Sequence, residues 1–150
     1  IKLVEQTGLA PSRLTLEITE NILIKEIHVV EPILRKLRDH GFGVSLDDFG
    51  TGFSSLNYLN TLPISEIKID RSFVGKLNTS QHSETLVKAI IEIGASCDMK
   101  VVAEGVETEQ QRQTLKDYHC DLLQGYYFDK PLNVDDLIQS YTQPEHVQPA

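Results

Sequence analysis

Five segments with the residue pattern of β-strands end in side chains that can do chemistry. The polar residues at these ends are Glu17 and Glu20, Asp47 and Asp48, Lys68 and Asp70, Glu104, and Gln124. Buried charges are costly unless they are ion-paired or bound to a metal, so charges that recur at strand ends indicate a site. Enzymes built on barrels of parallel strands keep their catalytic groups at the C-terminal ends of those strands. The pattern therefore predicts a catalytic site at one edge of a sheet.

Alternation along the segments places the charged residues on one face of the predicted sheet. Successive side chains of a strand point to opposite faces. Leu16 and Leu46 then face one way, whereas Glu17, Asp47 and Lys68 face the other. A parallel sheet whose apolar face meets helices, and whose other face lines an interior, has this arrangement.

The elements that must position these residues alternate between strands and helices. The predicted strands span residues 14–20, 44–49, 66–70, 100–105 and 121–124. Stretches with helical apolar spacing separate them, which indicates βα units and a parallel sheet. The fold class predicted from this order is α/β.

Helical spacing locates the first helices. Apolar residues within 23–37 predict one helix, and Gly41 is placed to close it. A short helix is predicted over residues 54–62, after a glycine-containing turn. Another is predicted over residues 86–97, with its apolar side chains on one face.

Capping residues mark the last two helices. Thr108 followed by Gln111 predicts a capping box. Asn133 is placed to cap a final helix. The polar segment 143–150 is predicted to be a disordered tail, so the ordered region is predicted to span residues 1–142.

Composition narrows the class of protein. The chain has 150 residues, a formal net charge of −8 and a pI near 5.0, which suits one domain and argues against a partner that is nucleic acid or a membrane surface. Cys97 and Cys120 do not form a metal-type pair and are predicted to be reduced thiols of a cytoplasmic protein, whose parent could still be membrane-anchored. Because the first residue is Ile1, we expect the chain to be part of something longer.

Five motifs together carry a family resemblance. In order they are Glu17-Ile18-Thr19-Glu20, Asp47-Asp48-Phe49-Gly50-Thr51-Gly52-Phe53-Ser54-Ser55, Lys68-Ile69-Asp70-Arg71-Ser72-Phe73-Val74, Ala103-Glu104-Gly105-Val106-Glu107-Thr108 and Gln124-Gly125-Tyr126. The chain closely resembles the EAL family of cyclic di-GMP phosphodiesterases, from Pro11 to Leu137.

The resemblance implies a fold larger than this chain. The family fold is a TIM-like (β/α)8 barrel, and such barrels run to about 250 residues. The chain would supply about the last five βα units, as the C-terminal portion of the domain. The Glu-Ala-Leu signature and the strand that ends in an asparagine metal ligand are absent here. His119 stands where the family usually has glycine, and Phe53 where tyrosine is common.

The resemblance also implies a metal site. Opening a phosphodiester needs a hydroxide, charge neutralisation and a stabilised leaving group, and two divalent cations supply all three. Oxygen-rich ligands suit Mg²⁺ or Mn²⁺. By resemblance, Glu17 and Asp47 hold the first metal, Asp47 bridges, and Asp48 helps to hold the second. The simpler interpretations are a turn pair for Asp47 and Asp48 and a solvated strand residue for Glu17.

Other matched residues take roles around the substrate. By resemblance, Lys68 contacts the attacking water or a phosphate, and Asp70 orients it; an ordinary ion pair on an exposed strand is the alternative. Glu104 resembles the general base or a second-metal ligand. Gln124 would bind substrate or water, and Glu107 either shares that role or stabilises the adjacent helix N-terminus.

A glycine loop follows the second strand. Gly50, Thr51 and Gly52 resemble a phosphate cradle that in the family couples metal binding to dimer contacts. Glu20 resembles the acid that anchors this loop; a plain tight turn with a solvated Glu20 is the alternative. The helix over 54–62 resembles the family's dimer surface, although core packing would explain it equally well.

Three hypotheses follow. The parent is a phosphodiesterase that cuts cyclic di-GMP to linear pGpG, and it forms a homodimer behind N-terminal sensory or cyclase domains. Alternatively, it is a degenerate module that binds cyclic di-GMP without cutting it. A third hypothesis concerns the 150 residues alone, which we expect to be inactive because ligands of the first metal are missing.

Overall fold

The structure, a computed structural model, describes residues 1–51, 59 and 61–142. Its strands are β1 (Thr15–Thr19), β2 (Gly43–Phe49), β3 (Glu66–Ile69), β4 (Lys100–Glu104) and β5 (Leu122–Gln124). The helices in the described ranges are α1 (Lys2–Thr7), α2 (Glu20–Lys25), α3 (Ile27–Asp39), α4 (Arg71–Val74), α5 (Gln81–Ser96), α6 (Glu109–Asp117) and α7 (Val134–Thr142). A 3₁₀ turn, Pro11–Arg13, leads into β1. Some predicted features lie wholly or mostly outside the described residues. They are the helix over 54–62 with its proposed dimer surface, Gly52, Phe53 and the tail 143–150.

The five strands form one parallel sheet. Their spatial order is the chain order, β1-β2-β3-β4-β5, and every neighbouring pair is parallel. Strands paired in chain order, with helices in the crossovers, are the arrangement of a segment of a (β/α)8 barrel. The α/β fold predicted from the alternating pattern is confirmed.

The apolar core lies between the sheet and its helices. Val44, Ile67, Ile69 and Val101 have no exposed surface. Each such aliphatic side chain contributes roughly 1.5–3 kcal/mol when it is fully buried. This core fixes the register, because a slip of one residue would turn these side chains to the opposite face.

Helix α5 packs closely on β4 because of a glycine. A Cβ added to Gly94 would lie 2.2 Å from Cγ2 of Val101. No real Cβ makes such a contact, so the helix backbone reaches this distance only without a side chain. This contact fixes the position of α5 against β4 in the sheet.

The prediction of a single helix over 23–37 is wrong. The chain forms α2 and α3 with a break at Glu26, whose φ and ψ are −130° and 30°. Leu23 is buried from α2, and Leu34 from α3. The spacing of the apolar residues suits one helix, and neither glycine nor proline marks residue 26, so periodicity alone did not show the break.

Three of the predicted helix ends are confirmed. Thr108 and Gln111 form the reciprocal capping box. Asn133 Oδ1 accepts a hydrogen bond from the Asp136 N–H at 2.9 Å. Gly41 follows α3 with φ +87°, a conformation that costs glycine little.

Candidate active site

The strand register brings the predicted residues to one face and one end of the sheet. Thr19 of β1 lies beside Asp47 of β2, and Glu104 of β4 beside Gln124 of β5. Paired residues of parallel strands face the same way, as do residues two apart on one strand. The residues on this shared face at the C-terminal ends are Glu17, Asp47, Lys68, Glu104 and Gln124.

Lys68 is the centre of the charged group. Its Nζ donates to Glu17 Oε1 at 2.8 Å and lies 2.6 Å from Glu104 Oε1. Asp47 Oδ1 is 3.7 Å away. The lysine side chain is 7% exposed, so the alternative of an ion pair on an exposed strand does not describe it. Four strands, β1 to β4, each contribute one charge.

The acids control the protonation of Lys68. Burial of the ammonium acts to lower its pKa, but hydrogen bonds to Glu104 and Glu17 oppose this, as do the charges of Glu104 and Asp47. Their sum raises the pKa of Lys68 well above its usual value. The lysine is therefore a permanent cation within a nest of carboxylates.

A β-bulge explains how two adjacent acids can end β2. Leu46 pairs with Ile67 and Phe49 with Ile69, so three steps along β2 match two along β3. Asp48, within this bulge, has φ +59°, and its N–H donates to Asp47 Oδ1 at 3.0 Å. The core residues Leu46 and Phe49 stay buried on either side of the acids. The interpretation of Asp47 and Asp48 as a turn pair is wrong, because both lie within β2.

The glycine loop begins directly after the bulge. Gly50 has φ +94°, and a Cβ there would lie 3.3 Å from Cε2 of Phe73. The Thr51 N–H and Oγ1 both donate to the carbonyl oxygen of Asp48, at 3.3 and 2.9 Å. The loop is thus tied to the acidic end of β2. Phosphate binding by this loop stays a prediction.

Glu20 and Asp70 both follow strands directly but have different surroundings. Glu20 is the first residue of α2 and is 3% exposed, so the solvated alternative for it is wrong. Asp70 caps α4, because its Oδ1 accepts a hydrogen bond from the Ser72 N–H at 3.0 Å. Lys68 instead takes its ion-pair partners from Glu17, Asp47 and Glu104. Orientation of Lys68 by Asp70 stays a prediction, and the cap is the contact observed.

A cleft of about 230 Å³ adjoins the acids. Its lining includes Glu104, Glu107 and Gln124, which the sequence predicted, and Arg71 and Tyr126, whose roles it missed. The Glu107 N–H also donates to the side chain of Gln111 at 2.8 Å, so its backbone belongs to the α6 cap while its side chain borders the cleft. Arg71 and Tyr126 belong to the motifs quoted above, but only the fold shows that both residues line this cleft.

Gly105 permits the close approach of α4 to β4 in this cleft. It has φ +71°, and a Cβ there would lie 2.6 Å from the Cβ of Arg71. Glycine alone accepts both the dihedral angle and the contact. Arg71 is therefore held against Gly105, and it lines the cleft together with Glu104.

The carboxylate oxygens of these acids are suitable ligands for a hard divalent cation. Three carboxylate oxygens from three strands converge on one cationic atom, Lys68 Nζ, within 3.7 Å. Such oxygen donors suit Mg²⁺ or Mn²⁺. Among residues 1–51, 59 and 61–142, no three acids, histidines or cysteines stand close enough to hold a metal by themselves. The ammonium group occupies the centre that these oxygens share.

Comparison with known proteins decides the family. The EAL domain family model matches residues 1–131. The chain belongs to the EAL domain family. The family resemblance drawn from the five motifs is thereby confirmed.

Named EAL relatives are longer than this chain. Cyclic di-GMP phosphodiesterase NbdA of Pseudomonas aeruginosa is 48% identical over 129 residues, which are 86% of this chain but 16% of that protein. The solved PaMucR phosphodiesterase in complex with c-di-GMP has a TM-score of 0.87 and 41% identity, over 91% of this chain and 55% of that one. A manganese and cyclic di-GMP complex of Klebsiella pneumoniae BlrP1 has a TM-score of 0.81 and 30% identity, over 87% and 33%.

These EAL structures confirm that the five strands are part of a TIM-like barrel. The described residues contain no helix long and apolar enough to cross a membrane. The glycine that the family resemblance leads us to expect at position 119 would suit the backbone there. His119 has φ +61° in the described turn after α6, a conformation in which glycine is less strained.

Proposed function

We propose that the complete EAL domain containing this chain hydrolyses cyclic di-GMP to linear pGpG. The observation that carries this proposal is the convergence of Glu17, Asp47 and Glu104 on Lys68 at the C-terminal strand ends. Relatives with phosphodiesterase in their names support the same reaction.

The acids of this chain divide between metal binding and proton transfer. Glu17, Asp47 and Asp48 would hold divalent cations, Mg²⁺ or Mn²⁺, which when bound neutralise phosphoryl charge and activate water. Glu104 then accepts the proton of the attacking water as its oxygen bonds to phosphorus. Lys68 holds that water or a phosphoryl oxygen, because its ammonium group already contacts Glu104. One P–O ester bond breaks, and the leaving oxygen takes a proton.

The cleft beside the acids suits a nucleotide. Arg71 brings a positive charge to a border that is otherwise acidic, and Tyr126 is 61% exposed. An exposed aromatic ring offers a face on which a base can stack. Gln124 and Glu107 would orient the bound substrate from the same cleft, with Gly50, Thr51 and Gly52 near the phosphate. Glu20, buried at the start of α2, would anchor that loop.

The setting of the domain is part of the proposal. We expect a homodimer that follows sensory or cyclase domains in a cytoplasmic signalling protein. The name of one relative, a bifunctional diguanylate cyclase and cyclic di-GMP phosphodiesterase from Pseudomonas aeruginosa, supports such an arrangement. We expect residues 1–150 alone to be inactive, because the Glu-Ala-Leu segment contributes to the first metal.

Product analysis of the purified complete domain tests the reaction. With cyclic di-GMP and Mn²⁺, we expect pGpG, loss of turnover after chelation by EDTA, and recovery when Mn²⁺ is restored. Binding of cyclic di-GMP with no product under any of these conditions would overturn the proposal in favour of a receptor.

A further inference from the structure

The position of Lys68 suggests a role in the absence of metal. Its ammonium group lies among three carboxylates from β1, β2 and β4, with Nζ to oxygen distances of 2.8, 3.7 and 2.6 Å. The side chain is 7% exposed, those of Asp47 and Glu104 are 23% and 21% exposed, and that of Glu17 is 52% exposed. Water therefore screens Glu17 well, but it screens the charges of Lys68, Asp47 and Glu104 only partly.

Three carboxylates this close together need a cation to offset their mutual repulsion. Like charges a few ångströms apart repel strongly where solvent is limited. Removal of one partner from a buried ion pair leaves an uncompensated charge and is strongly destabilising. Lys68 is the one described cation with an ion pair to any of these three acids. Among the described residues, the lysine thus supplies the charge balance that a bound metal ion would otherwise provide.

A metal ion and the ammonium group would compete for the same oxygens. Glu17 Oε1 and Glu104 Oε1 both face Nζ at hydrogen-bond distance. A cation coordinated by either of these oxygens would share it with the ammonium or replace it there.

We propose that Lys68 is the resident counter-ion of the metal-free site: it holds the acids of three strands together and yields at least one carboxylate when a metal binds. The proposal rests on the proposed function, since it concerns the metal of that reaction. It makes Lys68 a positioning residue for the acids as well as a contact for substrate. The lysine stabilises the empty domain and lowers the affinity of the site for metal.

The test uses the complete EAL domain without cyclic di-GMP. The variants are Lys68→Met, which removes the charge but keeps the length, and Lys68→Arg, which keeps the charge. Lys100→Met is the matched control, because Lys100 is an exposed lysine at the far end of the neighbouring strand β4. Thermal midpoints are measured in EDTA and in saturating Mn²⁺, and Mn²⁺ affinity by isothermal titration calorimetry.

We expect Lys68→Met to lower the midpoint in EDTA by about 5 °C or more. Saturating Mn²⁺ should remove most of this difference in thermal midpoint. Mn²⁺ should bind to the Lys68→Met domain about tenfold more tightly than to the wild type. Lys68→Arg and Lys100→Met should retain the wild-type midpoint in EDTA. An unchanged EDTA midpoint, or unchanged or weaker Mn²⁺ binding by a folded Lys68→Met domain, would overturn the proposal.

A second variant covers the case in which Lys68→Met does not fold. Addition of Glu104→Gln removes one of the repelling acids, so the double variant should recover a folded domain in EDTA. If the double variant is as unfolded as the single one, charge repulsion is not the cause and the proposal fails. These readouts involve no nucleotide, so they are independent of whether the domain hydrolyses cyclic di-GMP.

Discussion

At the scale of single residues, the backbone conformation of His119 bears on the expected departure from the family pattern. His119 adopts φ +61° in the turn that follows α6. A side chain in the left-handed region costs roughly 1–2 kcal/mol, which glycine avoids. The departure therefore weakens the turn without touching the site, because His119 lies before β5 rather than at its C-terminal end.

His119→Gly should consequently stabilise the complete domain. Relief of strain outweighs the larger entropy of glycine in the unfolded chain, and we expect a gain of about 0.5–1 kcal/mol. Urea unfolding measures it. His40→Gly is the control, since His40 is exposed at the end of α3 with φ −88° and should lose stability. Equal losses from both substitutions would refute this account of the turn.

Cys120, which is half-buried, illustrates how partial burial changes reactivity. Burial raises the pKa of its thiol to about 11, so less thiolate is present at pH 8 than the usual value of 9.0 would give. We expect alkylation by iodoacetamide at pH 8 to be about a hundredfold slower than for an exposed thiol, and to accelerate as the pH approaches 11. Mass spectrometry of the labelled peptides measures the rate. Rapid labelling of the folded domain at pH 8 would contradict the burial of Cys120.

At the scale of elements, sequence patterns predicted what depends on periodicity and local capping. The five strands, the shared face of Glu17, Asp47 and Lys68, and the capping box at Thr108 all follow from local residue types. The bulge at Asp48 was not predicted, because its extra residue appears only when β2 is paired with β3. The break at Glu26 was missed for a similar reason, since no local signal marks it.

Long-range contacts account for the remaining differences. Arg71 and Gly105 are far apart in sequence, yet a Cβ on Gly105 would touch Arg71. Gly94 and Val101 are close in sequence, but their contact forms only when α5 folds back onto β4. Sequence could place Asp70 near a strand end, but the choice between a lysine partner and a helix cap depends on the path taken after the strand.

Gly94→Ala tests how α5 is held against the sheet. The added methyl group would lie 2.2 Å from Cγ2 of Val101, so the helix must shift. The free energy of unfolding should therefore fall by about 1–3 kcal/mol, despite the better helix propensity of alanine. Chemical denaturation of the complete domain measures this. Ser96→Ala, at an exposed position on the same helix, should change stability by less than about 0.5 kcal/mol. A stabilising Gly94→Ala would contradict the packing described here.

At the scale of the whole molecule, the described residues are an arc of a barrel. The edge strands β1 and β5 carry exposed leucines, Leu16 at 41% and Leu122 at 44%. Open strand edges promote pairing with other chains. Helix α7 contains no buried residue. In a closed barrel, further strands would cover these edges.

Residues 1–150 as an isolated protein should therefore self-associate and lack activity. Strand edges and apolar side chains would be exposed, and the Glu-Ala-Leu segment would be missing from the proposed metal site. Size-exclusion chromatography with a cyclic di-GMP assay in Mn²⁺ measures both properties. A monomer that turns over substrate as fast as the complete domain would show that the other strands are dispensable.

The most direct measurement of the central claim is the rate of pGpG release by the complete domain carrying Asp47→Asn. Asp47 lies near the C-terminal end of β2, with its Oδ1 3.7 Å from Lys68 Nζ. It is proposed to bridge the metals, so loss of its charge should reduce turnover by several orders of magnitude. Asp39→Asn, an exposed acid at the end of α3, should retain wild-type turnover. Near-normal pGpG release by a folded Asp47→Asn domain would show that the acids around Lys68 are not the catalytic centre.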